Sequence, residues 1–174
     1  KAMKFVWPGI NIGALVESPG LYPDCKAHDN LMYKCVSMGV YIKAYVDGLL
    51  ARVELQNTGK KKVKQFSLGM KQRLSIALAL VNEPDLLILD EPINGMDPQG
   101  IRDIREMLVS VNREMGVTIL ISSHILDELA KFATTYGIIK DGLVLREFSR
   151  EELEHENRSG IEVESPQIEA VESL

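Results

Sequence analysis

The sequence predicts an α/β fold organised around a parallel sheet. Residues 85–90 (DLLILD) and 117–122 (VTILIS) are apolar runs of strand length, and continuous runs of this kind are typical of strands buried on both faces of a parallel sheet. Between them, apolar side chains recur every three or four positions over 101–115, which is the spacing of an amphipathic helix. A strand, a helix and a strand in this order indicate a βαβ unit.

The first third of the chain adds one strand and a helical region. Residues 10–17 (INIGALVE) are a short apolar run with turn-forming residues on both sides, so we expect a buried strand that ends in a turn. A loop rich in Pro, Gly, Asp and Asn follows. The apolar spacing over 31–53 is helical, and Gly39 and Gly48 interrupt it, which favours more than one helix there.

The remaining elements flank the βαβ unit. Residues 59–64 (GKKKVK) indicate a basic loop, and Ser67 opens a helical stretch that reaches about residue 81. Asn82-Glu83-Pro84 stops this helix, because proline cannot continue one. Residues 136–146 predict a hairpin that turns at Asp141-Gly142.

Length and composition fit one globular domain. The 174 residues are 45% hydrophobic and 26% charged, enough to bury a core and too ordinary in charge for wholesale disorder. No apolar run approaches the roughly 20 residues that span a bilayer, and no signal-peptide pattern is visible. Cys25 and Cys35 are too few for a disulfide framework, and no His/Cys spacing predicts zinc, which favours a reducing, cytoplasmic setting.

The net charge of −5 belongs to the C-terminal tail. Residues 148–174 carry a net charge of −6, so the rest of the chain sums to +1. A nearly neutral body predicts neither an acidic partner-binding surface nor a face that binds nucleic acid. The basic run at 60–64 is therefore interpreted as a solvated loop.

Two consecutive carboxylates, Asp90 and Glu91, follow the apolar strand at 86–89. Ligands of α/β folds bind at the carboxyl ends of parallel strands. An aspartate there can hold Mg²⁺ against nucleotide phosphates, and a neighbouring glutamate can orient and deprotonate an attacking water. The alternative interpretation is that two acids cap a strand before the turn at Pro92.

Two further segments carry candidate phosphate-binding residues. Ser67 and Gly69 lie at the start of a helix, whose free N–H groups and partial positive charge can bind an anion such as a γ-phosphate. Ser67 is also a natural N-cap, which is the structural alternative. His124 follows the strand at 117–122, so we expect it near Asp90 and Glu91 if the two strands are neighbours.

Taken in order, these segments resemble the nucleotide-binding domain of ATP-binding cassette (ABC) transporters. The matching segments are the signature motif at 66–73 (FSLGMKQR), the Walker B motif at 87–92 (LILDEP), the D-loop at 94–98 (NGMDP), the switch histidine His124, and a Q-loop region over 11–31. The resemblance covers about residues 10–148 in the family's order. Within this family, the sequence most resembles the bacitracin and lantibiotic export subfamily.

The resemblance implies a catalytic role for several of these residues. Asp90 would support Mg²⁺, Glu91 would act as the general base for water, and His124 would contact the γ-phosphate and the attacking water. Glu17 stands where the family has a glutamine that senses Mg²⁺ and couples to the membrane partner. A carboxylate at this position can still coordinate Mg²⁺, although it lacks an amide donor.

Other matched residues are implied to act across a dimer. Ser67 and Gly69 would reach the γ-phosphate of ATP bound by the opposite subunit, and Asp97 would link the two nucleotide sites. Leu68 and Met70 depart from the family pattern, since they replace the usual glycine and glutamine of the signature.

The implied fold is a P-loop NTPase core with a parallel sheet plus a helical subdomain, incomplete without the Walker A strand. The expected divisions are a Q-loop strand and loop over 1–24, a helical subdomain over 25–66, the signature helix, Walker B, D-loop and switch histidine over 67–148, and an acidic tail over 149–174.

The 174 residues contain no G-x-x-x-x-G-K-[ST] phosphate loop, which normally cradles the phosphates. We therefore expect a fragment of a longer protein, a natural truncation being the alternative, and weak or absent ATP binding by the chain alone. We also expect residues 86–89 to expose an open strand edge, which would make the chain oligomeric, swapped or rearranged. A clean monomer in light scattering would count against this.

The resemblance implies an ATP-binding and ATP-hydrolysing subunit of an ABC transporter, of the kind that exports antimicrobial peptides or drugs. Such a subunit uses ATP and Mg²⁺, dimerises, and joins transmembrane permease subunits at the inner face of the cell membrane. A soluble ABC-type ATPase acting on nucleic acid or ribosomes, or a truncated non-catalytic cassette, remains an alternative. Only about 35 residues separate the Q-loop region from the signature. This length is typical of a transporter, and no nucleic-acid partner is expected.

Overall fold

A computed structural model describes residues 6, 7, 9–16 and 20–157 of the chain. Its strands are β1 (Val6–Trp7), β2 (Ile10–Leu15), β3 (Leu86–Asp90), β4 (Thr118–Ser122), β5 (Thr135–Lys140) and β6 (Leu143–Ser149). Its α-helices are α1 (Ala27–Ser37), α2 (Lys43–Arg52), α3 (Leu68–Ala79), α4 (Pro98–Met115), α5 (Leu126–Leu129) and α6 (Arg150–Asn157). Two single-turn 3₁₀ helices, Gln56–Thr58 and Val63–Gln65, lie between α2 and α3. The described residues form two compact units, one ending at Leu126 and one beginning at Asp127.

The first unit contains a four-stranded sheet in the order β1-β2-β3-β4. Strands β2, β3 and β4 run parallel, with Leu89 of β3 level with Leu15 of β2 and Ile121 of β4. The predicted α/β class with a parallel sheet is therefore confirmed. The short strand β1 pairs antiparallel with β2, and its two residues are too few to give a sequence pattern.

The expected open edge at residues 86–89 is wrong. Strand β3 is paired on both sides, with β2 on one and β4 on the other. Within the described part of the chain, the outer strands of this sheet are β1 and β4. Leu120, at the centre of β4, is 57% exposed. The expectation of self-association was based on an open edge at residues 86–89 and stays a prediction.

The core of the first unit lies where helices cover the parallel strands. Leu87 and Leu89 of β3 are fully buried, as is Leu74 of α3. The predicted apolar stripe of α4 is buried along Ile104, Met107, Leu108 and Val111. Gly116 ends α4 in the left-handed conformation, at φ 67°, because a glycine adopts that conformation without a side-chain penalty.

Polar bonds fix the amino ends of β2 and β3. The backbone N–H of Asn11 donates to Oδ2 of Asp85 at 2.8 Å, and the N–H of Asp85 donates to the carbonyl of Asn11 at 2.8 Å. The Asn11 side chain donates to the carbonyl of Asn82. These bonds set the strand register, so the carboxyl ends of both strands lie level at the opposite edge.

The predicted helical region over 31–53 forms two helices that bury Leu31, Cys35, Val46 and Leu49 against each other and against α3. The break falls at Gly39, at φ 73°. Gly48 breaks nothing, because α2 continues through it.

The end of α3 is tied to α2 by Tyr45, whose hydroxyl accepts a hydrogen bond from the N–H of Asn82 at 2.9 Å. Burial raises the pKa of Tyr45. The tyrosine thus stays neutral and holds the turn after α3.

The second unit contains the predicted hairpin. Strands β5 and β6 pair antiparallel, and the ring of Tyr136 stacks on that of Phe148 with centroids 5.3 Å apart. The start of α6 is held by Arg150, which donates to the carbonyl of Ala130 at 2.8 Å. None of the helices in the described part of the chain has the length and apolar content that crossing a membrane requires.

Candidate functional site

The two acidic residues and the histidine meet at the carboxyl edge of the parallel sheet. Asp90 is the last residue of β3 and lies level with Ser122, the last residue of β4. Because the strands are direct neighbours, Glu91 and His124, which leave them, come within hydrogen-bond distance. The sequence analysis expected His124 near the two acids if these strands were neighbours, and β3 and β4 are neighbours.

Glu91 and His124 form a pair in which both carboxylate oxygens lie 3.0 Å from Nδ1 of the imidazole. An ionised carboxylate only accepts hydrogen bonds, so the histidine carries its proton on Nδ1 in this arrangement. The His124 side chain is 65% exposed and that of Glu91 is 33% exposed. The other nitrogen of the neutral imidazole, Nε2, then carries no proton and can only accept a hydrogen bond.

The backbone at Glu91 adopts an unusual conformation, with φ at 45°. This is the left-handed region, which costs a residue with a side chain about 1–2 kcal/mol. The conformation turns the chain sharply out of β3, and the N–H of Asn94 then donates to the Glu91 carbonyl at 3.2 Å. Strain of this kind occurs preferentially at functional sites.

The carboxylate of Asp90 is exposed at the end of β3. Its Oδ1 accepts a hydrogen bond from the hydroxyl of Ser122 at 2.6 Å. In the described residues, no group of three or more His, Cys, Asp or Glu side chains could hold a metal ion alone. A lone carboxylate with solvent access instead suits Mg²⁺, which keeps several waters and takes further ligands from phosphates.

A second set of predicted residues lies at the amino ends of two helices. Ser67 caps α3 by accepting from the N–H of Met70 at 3.2 Å, and Asp97 caps α4 by accepting from the N–H of Gly100 at 3.1 Å. Both residues therefore act as helix N-caps, which was the structural alternative proposed for Ser67, and the first turn of each helix is intact.

Met96 joins these two helix starts. A side-chain carbon added at Gly69 would lie 3.2 Å from the Met96 methyl carbon, and one added at Gly100 would lie 3.0 Å from it. The thioether thus fills space that two glycines leave free, one on α3 and one on α4. A side-chain carbon added at Gly95 would lie 3.8 Å from Cδ2 of Leu68, so Leu68 of α3 lies near the same loop. The structure therefore brings together the segments predicted as the signature motif (66–73) and the D-loop (94–98).

Sequence reasoning passed over Ser122 and Met96. Ser122 lies two residues before the predicted histidine, and its signal is its register opposite Asp90, which only the strand pairing reveals. The signal of Met96 is tertiary, since its two glycine partners lie far apart in the sequence. Glu17, predicted at the Q-loop position, lies outside the described residues.

The segments that form this site match a known family. The family model described as "ABC transporter" matches residues 4–94, which is more than half of the chain. The chain belongs to the ABC transporter family. The match spans the signature and Walker B segments, and their resemblance to this family is confirmed.

Curated relatives of this ABC chain include two transport proteins named for their substrates. It is 47% identical over 90% of its length to "Uncharacterized ABC transporter ATP-binding protein YcbN" of Bacillus subtilis. It is 46% identical over 87% of its length to "Bacitracin transport ATP-binding protein BcrA" of Bacillus licheniformis. It is 48% identical over 78% of its length to "Lantibiotic transport ATP-binding protein SrtF" of Streptococcus pyogenes. The matches cover 51%, 49% and 58% of those relatives, so the chain spans about half their length.

Solved structures of similar fold include other ABC cassettes. The Clostridium perfringens protein cbiO1, described as part of the ABC transporter complex cbiONQ, aligns with a TM-score of 0.76 at 31% identity over 84% of this chain and 60% of that one. The cassette MJ0796, described as a dimeric post-hydrolysis state bound to ADP and Pi, aligns with a TM-score of 0.66 at 26% identity over 80% of this chain and 62% of that one. The predicted ABC ATPase core is thereby confirmed.

Proposed function

We propose that this chain forms part of the ATP-binding and ATP-hydrolysing subunit of an ABC transporter that exports an antimicrobial peptide or drug. The observation that carries the proposal is the Glu91–His124 pair beside Asp90, at the carboxyl edge of a parallel sheet. An acid–histidine pair at this edge suits hydrolysis better than binding alone, because it can hold and move a proton.

Asp90 is the residue proposed to hold Mg²⁺, with Glu17 as a second candidate ligand. The hydroxyl of Ser122 engages Oδ1 of the Asp90 carboxylate, which leaves Oδ2 to take a hydrated cation. Bound there, Mg²⁺ would neutralise charge that develops on the phosphates.

Glu91 is proposed to orient and deprotonate the attacking water. With His124 on its carboxylate, the glutamate is fixed in direction and can accept a proton once a phosphate draws the imidazole away. His124 would then donate its Nδ1–H to the γ-phosphate in place of Glu91, which both places the phosphate and frees the base. The two residues thus exchange one hydrogen bond for two that involve the substrate.

Ser67, Gly69 and Asp97 are proposed to act on a nucleotide held by a second subunit. Ser67 caps one N–H at the amino end of α3, and the N–H groups of a helix's first turn have no partner inside the helix and attract phosphate. Met96 links this helix start to the loop that carries Asp97, so both would meet the same partner surface. The dimer of the similar cassette MJ0796 supports this arrangement.

The membrane partners are proposed to be permease subunits at the inner face of the cell membrane. Relatives named for bacitracin and lantibiotic transport support an export role.

Calorimetry with Mg-ATP tests the proposal. The 174-residue chain is expected to bind weakly or not at all, because it has no G-x-x-x-x-G-K-[ST] segment. The same chain joined to an upstream segment with that motif is expected to bind with micromolar affinity and to hydrolyse ATP. The control is the joined chain with the motif lysine replaced by alanine. Failure of the joined, folded chain to bind ATP would refute the proposal, and micromolar binding by the 174-residue chain would overturn the expected weakness.

A further inference from the structure

Ser122 bonds to both members of the acidic pair at once. Its hydroxyl donates to Oδ1 of Asp90 at 2.6 Å and accepts from the backbone N–H of Glu91 at 2.9 Å. One hydroxyl can donate once and accept as well, so a single side chain on β4 holds two consecutive residues at the end of β3. We propose that Ser122 is a positioning residue that sets the geometry of Asp90 and Glu91, an inference that rests on the proposed hydrolytic site.

The bond to the Glu91 N–H stabilises a strained backbone. At φ 45°, the peptide before Glu91 turns away from the strand direction. The regular β3–β4 pairing ends at Asp90 and Ser122, and the Glu91 N–H donates to the Ser122 hydroxyl instead of to a strand carbonyl. Since the backbone sets where the side chain begins, this bond directs the Glu91 carboxylate onto His124. Without it, a residue with a side chain would relax toward an ordinary conformation.

The bond to Asp90 determines which carboxylate oxygen faces a cation. A hydroxyl-to-carboxylate bond of 2.6 Å is short and charge-assisted, so it holds the carboxylate in one rotamer. Oδ1 is thereby engaged, and Oδ2 is the oxygen left for a cation. If the Asp90 carboxylate rotated freely, Oδ1 and Oδ2 would alternate as the ligand of the cation.

The neighbouring serine provides a matched control. The hydroxyl of Ser123 accepts a hydrogen bond from the N–H of Ile125 at 3.1 Å, the residue that follows His124. Ser122→Ala and Ser123→Ala therefore remove the same group one residue apart. A serine that only closes the strand pair would affect the whole end of β3, whereas a positioning residue affects Glu91 in particular.

Amide hydrogen exchange of the 174-residue chain, measured by NMR, tests the geometry without nucleotide. In Ser122→Ala the Glu91 amide is expected to exchange about tenfold faster, while the amides of Leu87 and Leu89 stay within about twofold. Ser122→Thr keeps the hydroxyl and is expected to restore the slow rate, and Ser123→Ala is expected to leave it unchanged. An unchanged Glu91 rate in Ser122→Ala, or an equal acceleration at Leu87 and Leu89, would overturn the proposal.

Hydrolysis by the chain joined to a phosphate-loop segment gives the second readout. Ser122→Ala is expected to lower kcat about 10- to 100-fold with KM for ATP within about twofold, and Ser122→Thr is expected to recover kcat. If Glu91→Gln abolishes hydrolysis while Ser122→Ala keeps full kcat, the positioning role fails and the proposed function stands. If the joined chain does not hydrolyse ATP at all, the proposed function fails, and the exchange rates still decide whether Ser122 holds Glu91.

Discussion

Glu91→Gln is expected to reduce ATP hydrolysis by about 10²- to 10⁴-fold in the chain joined to a phosphate-loop segment, with ATP affinity retained. The amide oxygen can still accept from Nδ1 of His124, where the carboxylate oxygens now lie 3.0 Å away. It cannot take a proton from water, so only the chemical step should slow. Single-turnover hydrolysis and calorimetry on the same preparation separate these two effects.

The control for this substitution is Glu106→Gln, which removes an exposed carboxylate from α4 away from the site. It is expected to leave both hydrolysis and ATP affinity unchanged. Hydrolysis by Glu91→Gln at the unaltered rate would show that Glu91 is not the general base. Loss of ATP affinity together with hydrolysis would instead assign Glu91 to binding.

Gly13→Ala is expected to lower the free energy of unfolding of the first unit by about 3 kcal/mol. An alanine side chain on β2 would place its Cβ 2.1 Å from the carbonyl oxygen of Ala79 and 3.1 Å from Cγ of Pro84. A backbone carbonyl at the end of a helix has little freedom to move, so the strand and α3 must separate. Urea denaturation followed by circular dichroism measures the loss.

Gly48→Ala is the same chemical change, but it is expected to raise the free energy of unfolding instead of lowering it. Nothing lies within 4 Å of a Cβ added at Gly48, and the residue is inside α2. Alanine there is expected to stabilise the helix by about 0.5–1 kcal/mol. If Gly13→Ala proved as benign as Gly48→Ala, the close approach of β2 to the end of α3 would be wrong.

The elements with strong local patterns were predictable from the sequence. Strand β3 has a continuous apolar run, and α4 has an apolar stripe that ends at a glycine. Local pattern was also enough to place Asp90, Glu91 and His124 at strand ends, and the family resemblance supplied their roles. Their meeting point followed from one assumption, that the two strands are neighbours.

Features that depend on tertiary packing were not predictable in this way. Sequence pattern cannot tell which strand of a parallel sheet is central, and the expected edge at β3 was wrong because β2 pairs with it. It also treated Gly39 and Gly48 alike, although Gly39 adopts a positive φ and Gly48 is an ordinary helical residue. The role of Ser122 depends on register, which a single strand does not encode.

A crystal structure of the joined chain carrying Glu91→Gln, grown with ATP and Mg²⁺, tests the proposed site most directly. The predicted result is a dimer in which each γ-phosphate lies beside Asp90 and His124 of one subunit and Ser67 and Gly69 of the other. A nucleotide whose γ-phosphate lies away from Asp90 and His124 would contradict the proposed catalytic role of this edge of the sheet.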